Sequence, residues 1–589
     1  MLIPRGEEYI GLDFKTMNPI FLLGAGISFL SGIPGSDTIK QIIEKNLPID
    51  SSDRQLLNDV LLNTPLEMLF SLANGLLKYK PIKLRSLMID FMKASPNINH
   101  FNLAGIAQGK PGTVFLTTNY DICLENALEI LGLQREIDFS VEILPKEDTL
   151  PELRLNDKKT RIIKLHGSAD EWKSTLTSIE DVTSNLSNFQ YAKKLIDIFA
   201  YKDNRPLLIL GYSFSDKYDI NSILKLLREG RRPIIYIKHE NGKTPYAVQP
   251  SENSSHVPLL QPEDFVIIGD TSIFIQELFF ENNIICSFNF ESERKHAVNE
   301  SNYGWLQMDK GNGYVLAGRL FRHAGKNEES KKYFNRGSLA VNNFLTEANI
   351  ECILESASFY SSLDEAYSSY NSILELLPKL NRNNAVKFRA YIGLMDNSLI
   401  TGKISKASEY LELAKREIKY VIPKDKQYYQ ARYYHSAGNL KRFQDNTDKE
   451  LENYSKAMKL AFAIGNIELM GISLFSISQT YYLIYESRVN KDRFMYDNSK
   501  NLFLECLSVG MRSRFFYSLL GKNNIVDLLD EFLSEYFNNV ILKGNYNSFV
   551  KNSFDIMNEK YLTNDFSDKL KEELKSILDG LIKTYNPDF

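Results

Sequence analysis

Short, mostly apolar runs alternate with helix-period segments between residues 20 and 268, and this alternation constrains the fold more than any other feature of the chain. The runs are Ile20–Leu23, Thr113–Leu116, Arg161–Leu165, Leu207–Leu210, Pro233–Ile237 and Phe265–Ile268. Segments 38–46, 54–79, 82–93, 123–131, 220–228 and 270–280 carry apolar residues at helical spacing. Strands this short and uniformly apolar are buried on both faces, and a helix between successive strands makes each connection a crossover. The first half is therefore expected to be an α/β domain built on a doubly wound, mostly parallel sheet.

In such sheets ligands bind beyond the carboxyl ends of the strands. Four runs lead there into polar or glycine-bearing segments: Gly24-Ala25-Gly26-Ile27-Ser28, Thr117-Thr118-Asn119-Tyr120-Asp121, His166-Gly167-Ser168, and Gly211-Tyr212-Ser213-Phe214-Ser215-Asp216. One site is expected to gather them. Glycine allows backbone to approach a ligand closely, and a turn at a strand end aims N–H groups at one spot, as a pyrophosphate requires. Taken alone, Gly24-Ala25-Gly26 is more often a plain tight turn than a nucleotide site. His166 is the candidate base, since histidine exchanges protons near neutral pH. Asn119 offers a donor and an acceptor to water or a hydroxyl, with capping of the next helix as its alternative. Asp121 is divided between helix-start charge and ligand contact. Asp216 and Asp270 read as helix caps, His100 as a helix-packing residue and Trp172 as packing in a cover over the site. Residues 239–262 are polar with several prolines and read as a surface loop, and 174–188 as a Ser/Thr-rich cover.

From about Trp305 strand signals fade. Four segments share a template of small or polar, aromatic or apolar at +4, small or apolar at +7: Ser330/Phe334/Gly337, Ala366/Tyr370/Ile373, Ala407/Leu411/Ala414 and Glu450/Tyr454/Ala457. Their spacing resembles degenerate tetratricopeptide repeats, with an irregular helical bundle as the alternative. Residues 1–288 are thus expected to form the α/β domain and 289–589 an all-α helical-repeat domain, connected through 287–304 and closed by a helix over 566–585. A helical array of this size offers a surface for a protein partner.

A net charge of −4 argues against a broadly basic nucleic-acid-binding surface. The four cysteines, Cys123, Cys286, Cys352 and Cys506, include no C-x-x-C pair, so no cysteine-rich zinc module is expected. No signal-peptide pattern opens the sequence and no apolar run is long enough to cross a bilayer, so a cytoplasmic protein is expected.

The four strand-end blocks, with Ser31-Gly32-Ile33-Pro34 after the first, resemble the signature blocks of the SIR2 (sirtuin) family in the family's order. They are most similar to the SIR2-like domains of bacterial antiphage proteins, which hydrolyse NAD+. The resemblance covers residues 1 to about 285. It implies a Rossmann-like fold, NAD+ as substrate, His166 and Asn119 as catalytic residues and Asp121 near the nicotinamide. It further implies Gly24, Ala25, Gly26 and Ser28 along the pyrophosphate, and Gly211 and Ser213 near phosphate and ribose. By the same resemblance the chain is an NAD+ glycohydrolase of antiphage defence. It would be a homo-oligomer triggered by a protein partner or phage-derived signal at its helical domain. The departures are as specific. The paired zinc cysteines of deacylating sirtuins are missing, Gly35-Ser36-Asp37 follows Gly32-Ile33-Pro34, and Lys238 stands where the family commonly has Asn. Deacylation is therefore disfavoured and no metal is expected. A protein that binds NAD+ or a related nucleotide without cleaving it is the other reading.

Overall fold

The computed structural model describes residues 2–5, 8–77, 91–144, 158–177 except 172–173, and 205–248 except 215–219, 222–223 and 225–231. It also describes 260, 264–281, and 309–491 except 340–345, 359–361, 380–383, 422–424 and 465, with 510 and 513 beyond. Two compact units are present: Met1–Leu47 with Ser52–Met308, and Pro48–Ser51 with Asp309–Phe589. The expected boundary at 288/289, the connection 287–304, most of the cover 174–188, Trp172, Asp216 and the helix over 566–585 lie outside the described residues.

The first unit opens with a hairpin, β1 (Leu2–Arg5) and β2 (Glu8–Gly11), and a short helix α1 (Phe14–Met17). Then come β3 (Ile20–Leu23), a 3-10 helix (Ala25–Ser31), and helices α2 (Ser36–Asn46), α3 (Arg54–Asn63), α4 (Leu66–Leu77) and α5 (Ile98–Gly109). They are followed by β4 (Val114–Thr117), α6 (Cys123–Ile130), β5 (Phe139–Ile143), β6 (Thr160–Lys164), β7 (Leu207–Leu210), β8 (Ile234–His239), β9 (Tyr246–Val248), β10 (Phe265–Gly269) and α7 (Thr271–Glu281). Among the described residues the main sheet has eight strands in the order β5-β6-β4-β3-β7-β8-β10-β9. Every neighbouring pair is parallel except β10 with β9. This is the doubly wound, Rossmann-like architecture: from central β3 the chain builds outward through β4, then returns to β7 on the other side. The switch point therefore falls between β3 and β7, where such sheets bind ligands.

All four residues of β3, β4 and β7 are buried, as expected for strands covered on both faces. On one face α5, α6 and α7 bring Phe101, Leu128 and Phe274 against Phe21, Phe115, Leu208 and Ile267 of the strands. Aromatic contacts lock this layer, with Phe21 on Phe115 at 5.1 Å and Phe14 edge-on to Phe274 at 5.9 Å.

Two expectations are corrected, and one strand is added. The segment 239–262 is not simply a surface loop, because Tyr246–Val248 pairs antiparallel with β10 as an edge strand. The helix over 54–79 is two helices: Pro65 has no N–H to continue the first, and Thr64 Oγ1 turns back to Val60 O at 2.7 Å. The sheet also holds β5, whose polar Ser140 and Glu142 interrupt the apolar pattern of an edge strand.

The second unit is a run of helices, α8 (Lys310–His323), α9 (Asn327–Ser338), α10 (Glu347–Ala357), α11 (Leu363–Leu376), α12 (Asn384–Ile400), α13 (Ile404–Ile418), α14 (Lys426–Phe443), α15 (Thr447–Ala463) and α16 (Ile467–Lys491). Consecutive helices pack on one another, and so do α8 with α10, α10 with α12, α12 with α14 and α14 with α16. Helical hairpins that stack through their first helices are the pattern of an all-α helical repeat. The template of the sequence falls on the second helix of each hairpin, α9, α11, α13 and α15. Glycines beneath its aromatics explain the spacing. A Cβ on Gly318 would lie 2.5 Å from Phe334, and one on Gly438 would lie 2.4 Å from Tyr454. Arg319 and Arg389 join α8, α10 and α12 through Glu351 and Glu355, which sit half-buried between them.

Candidate active site

The turns after β3 and β7 meet at the switch point. Gly26 N donates to Gly211 O at 2.8 Å, and Gly24 N donates to Leu210 O at 3.0 Å. A Cβ on Gly24 would stand 2.5 Å from Gly211 O, and one on Gly26 2.8 Å from Gly211 Cα. Gly211 itself lies at φ 63°, in the left-handed region. The glycines are thus required for backbone-on-backbone contact. This corrects the expectation that the turn leaves its N–H groups for a ligand, since those of Gly24 and Gly26 are used within the fold. Ala25 and Gly26 are exposed and Gly24 is buried beneath them. Phe214, three residues beyond Gly211, also adopts a left-handed φ of 54°, and Asn221 Nδ2 holds its carbonyl at 2.7 Å.

Below the first turn lies a buried hydrogen-bond network. Ser28 Oγ donates to Asp121 Oδ2 at 2.9 Å, receives Asn119 Nδ2 at 3.2 Å, and lies 3.1 Å from His100 Nε2. His100 Nδ1 accepts the Asn97 N–H, which places the proton of the neutral ring on Nε2, facing Ser28. The Ser28 hydroxyl therefore gives its one proton to Asp121 and has none to offer a phosphate. Burial holds the His100 pKa down to about 4, with Asp121 partly offsetting it, so the ring is neutral at pH 7.

Asn119 follows β4, and its amide nitrogen also donates to Gly24 O at 3.1 Å. A carbonyl can only accept, so that contact fixes which end of the amide faces it. The other end, Oδ1, is buried with no hydrogen-bond partner among the described residues. Asn119 does not cap α6. The cap position is held by Ile122 without a side-chain hydrogen bond, and Asp121 just before it accepts the Cys123 N–H on Oδ1 at 3.0 Å. His100, expected only to pack its helix, instead closes a capping box with Asn97 and supports Ser28. Pro96-Asn97-Ile98-Asn99-His100 announces the cap in sequence, but not the partner across the fold.

His166 follows β6, the strand next to β4, and is buried. Its carbonyl accepts the Leu176 N–H at 2.9 Å, and Gly167 follows at φ 91° with Ser174 O where a Cβ would stand. The loops after β4 and β6 are tied by Ala169 N to Tyr120 O at 2.8 Å and by Tyr120 OH to Leu176 O at 2.6 Å. Ser213 is exposed beyond β7. Lys164, the last residue of β6, was not singled out in sequence. Its ammonium is fully buried against Glu125 Oε1 at 2.8 Å and Asp121 O at 2.5 Å. A lysine between the apolar Ile162-Ile163 and Leu165 of a strand end was the available signal.

His100, Asp121 and Cys123 bring ligand-type atoms within 4.8 Å of one another. The donor set fits a hydrogen-bond network better than a metal centre. The His100 lone pair on Nδ1 is occupied, and burial beside Asp121 pushes the Cys123 thiol far up, away from the thiolate a metal binds.

Residues 113–262 match the family model of the SIR2-like domain. The SIR2-like match holds Asn119, Asp121, His166, Gly211 and Ser213, while β3 with its glycine turn lies ahead of it. No curated protein matches the chain. A solved structure of a Signal Transduction ATPase with Numerous Domains (STAND) protein with a tetratricopeptide repeat sensor, from Pyrococcus horikoshii, is similar over 99% of this chain and 94% of its own. The identity is 12% and the TM-score 0.32, too low to establish a shared fold. Among the described residues no helix is long and apolar enough to cross a membrane.

Proposed function

We propose that the SIR2-like domain hydrolyses NAD+ at the bond between nicotinamide and ribose, releasing nicotinamide and ADP-ribose. The observation that carries this reading is the side-chain oxygen of Asn119, buried beside the turn after β3 with its amide nitrogen anchored and no partner of its own among the described residues. Such an acceptor suits a water molecule or a ribose hydroxyl. In the reaction the C1′–N bond breaks and its electron pair leaves with nicotinamide, cancelling the ring charge. Positive charge develops across C1′ and the ring oxygen of the ribose, as in other glycosyl transfers. The Asp121 carboxylate, near the nicotinamide in this reading, favours that charge. Water held by Asn119 adds to C1′ and gives its proton to His166. Ala25, Gly26, Gly211 and Ser213 line pyrophosphate and ribose in this proposal, with Gly24 and Ser28 supporting them from beneath. None of these steps calls on a metal.

An enzyme that drains NAD+ from its own cell has to be held off until a signal arrives. We assign that control to the helical unit, acting in a cytoplasmic homo-oligomer that responds to a protein partner or phage-derived trigger. The antiphage role rests on the resemblance of the strand-end blocks. Chromatography of NAD+ incubated with the purified full-length protein tests the chemistry. Nicotinamide and ADP-ribose are expected, and His166→Ala is expected to lower their formation ~10²–10⁴-fold while the fold survives. Bound but intact NAD+ would leave a nucleotide-binding protein instead.

A further inference from the structure

Cleavage as proposed employs His166, Asn119 and Asp121, but not the buried ion pair of Lys164 at the end of β6 and Glu125 of α6. Lys164 and Glu125 are 0% and 7% exposed at their side chains and 2.8 Å apart. A buried pair of this kind gains little stability over apolar residues of the same volume, so stability alone does not account for it. Its geometry suggests another use. Lys164 ends β6, two residues before His166, and its ammonium reaches across to the next loop. There it holds the carbonyl of Asp121 at 2.5 Å, two residues after Asn119. Glu125, in the first turn of α6, fixes the ammonium from the far side. Burial raises the Glu125 pKa and the neighbouring Lys164 opposes that rise, so the carboxyl depends on the lysine for its charge.

We infer that Lys164 and Glu125 are positioning residues: a buried ionic strut that sets the loop of Asn119 and Asp121 against the strand end of His166. The inference rests on the NAD+-cleavage reading for its catalytic consequence, but not for its structural one. The strut joins backbone to backbone through one ammonium, where the residues it serves have to keep a fixed separation. Misplacing a reacting group by about 1 Å costs on the order of 10²-fold in rate.

The full-length double variant Lys164→Met/Glu125→Leu removes both charges together and leaves neither one buried alone. Its thermal unfolding is expected to drop only modestly, because no charge is left buried alone and the one group that loses its partner is the Asp121 carbonyl. Hydrogen exchange of a peptide spanning 117–124 is expected to accelerate about tenfold. The kcat for nicotinamide release is expected to fall on the order of 10²-fold with KM changed far less, the pattern of lost positioning. Lys164→Arg, which keeps charge and reach, should recover part of kcat. Unchanged exchange in the 117–124 peptide overturns the strut whatever the turnover. Faster exchange with full kcat overturns its catalytic role. A parent protein that cleaves no NAD+ under any condition refutes the function proposed above and the positioning of catalysis with it, while the exchange comparison still decides the strut. If the double variant fails to fold, Lys164→Arg decides alone: a partly lowered kcat with faster exchange in the 117–124 peptide supports the strut, and parental exchange, whatever the kcat, overturns it.

Discussion

Replacing Asn119 by alanine separates chemistry from structure, because the hydrogen bonds around it allow both costs to be stated in advance. The amide nitrogen makes two bonds, to Gly24 O and Ser28 Oγ, and the oxygen makes none. Neither former partner is orphaned. Gly24 O still accepts the Ile27 N–H at 3.2 Å, and Ser28 Oγ keeps Asp121 and His100. Two neutral hydrogen bonds at ~1 kcal/mol each give a loss of about 2 kcal/mol, with no penalty for a stranded group. Activity should suffer far more, since the lost oxygen is the one poised for water or ribose. A fall of ~10²–10⁴-fold in turnover is expected, the range for loss of a positioned catalytic group. Denaturant melts and chromatographic assay of nicotinamide measure the two quantities on one preparation. Turnover within threefold of the parent would remove Asn119 from the mechanism. A loss of stability above about 5 kcal/mol would refute the hydrogen-bond reasoning itself.

Ser28→Ala should behave in the opposite way, costing about 3 kcal/mol because it strands the His100 N–H and one oxygen of Asp121 in a fully buried setting, measurable by the same melts. His100 makes the first unit acid-sensitive. The unfolded histidine titrates near 6.5 and the folded one near 4, so between these values only the unfolded chain takes up the proton. Stability present above pH 6.5 is lost as pH falls toward 4, by about 3 kcal/mol at 1.36 kcal/mol per unit. His100→Gln should flatten that slope in melts followed at several pH values. Metal analysis should find no stoichiometric zinc, and acyl-lysine peptides should not be turned over in the presence of NAD+. Stoichiometric zinc, or deacylation as fast as NAD+ cleavage, would overturn the assignment.

The sequence disclosed those parts of the molecule whose pattern is local. Ile20–Leu23 and Leu207–Leu210 are uniformly apolar and end in glycine, so both strands are read to the residue. Phe139–Ile143 escapes because Ser140 and Glu142 mix polar residues into an edge strand, and Tyr246–Val248 because it is only three residues long within a polar segment. In the helical unit the +4 and +7 positions are legible because glycines elsewhere, such as Gly318 and Gly438, make room for an aromatic ring at one fixed place. The site was legible as four strand ends and not as a network. Nothing local in His100 or Lys164 tells that the first faces Ser28 and the second supports Asp121. Those contacts exist only once β3, β4 and β6 lie side by side. The glycine turn illustrates the converse: its composition suits a phosphate, yet its N–H groups and missing side chains serve the neighbouring turn after β7.

NAD+ labelled in the nicotinamide ring, incubated with purified full-length protein in the presence and absence of lysate from phage-infected cells, tests the central claim most directly. The account predicts free nicotinamide and ADP-ribose in equal amounts, with the rate raised by the infected-cell lysate and lowered ~10²–10⁴-fold by Asn119→Ala. NAD+ that remains intact under both conditions while bound to the protein would contradict it.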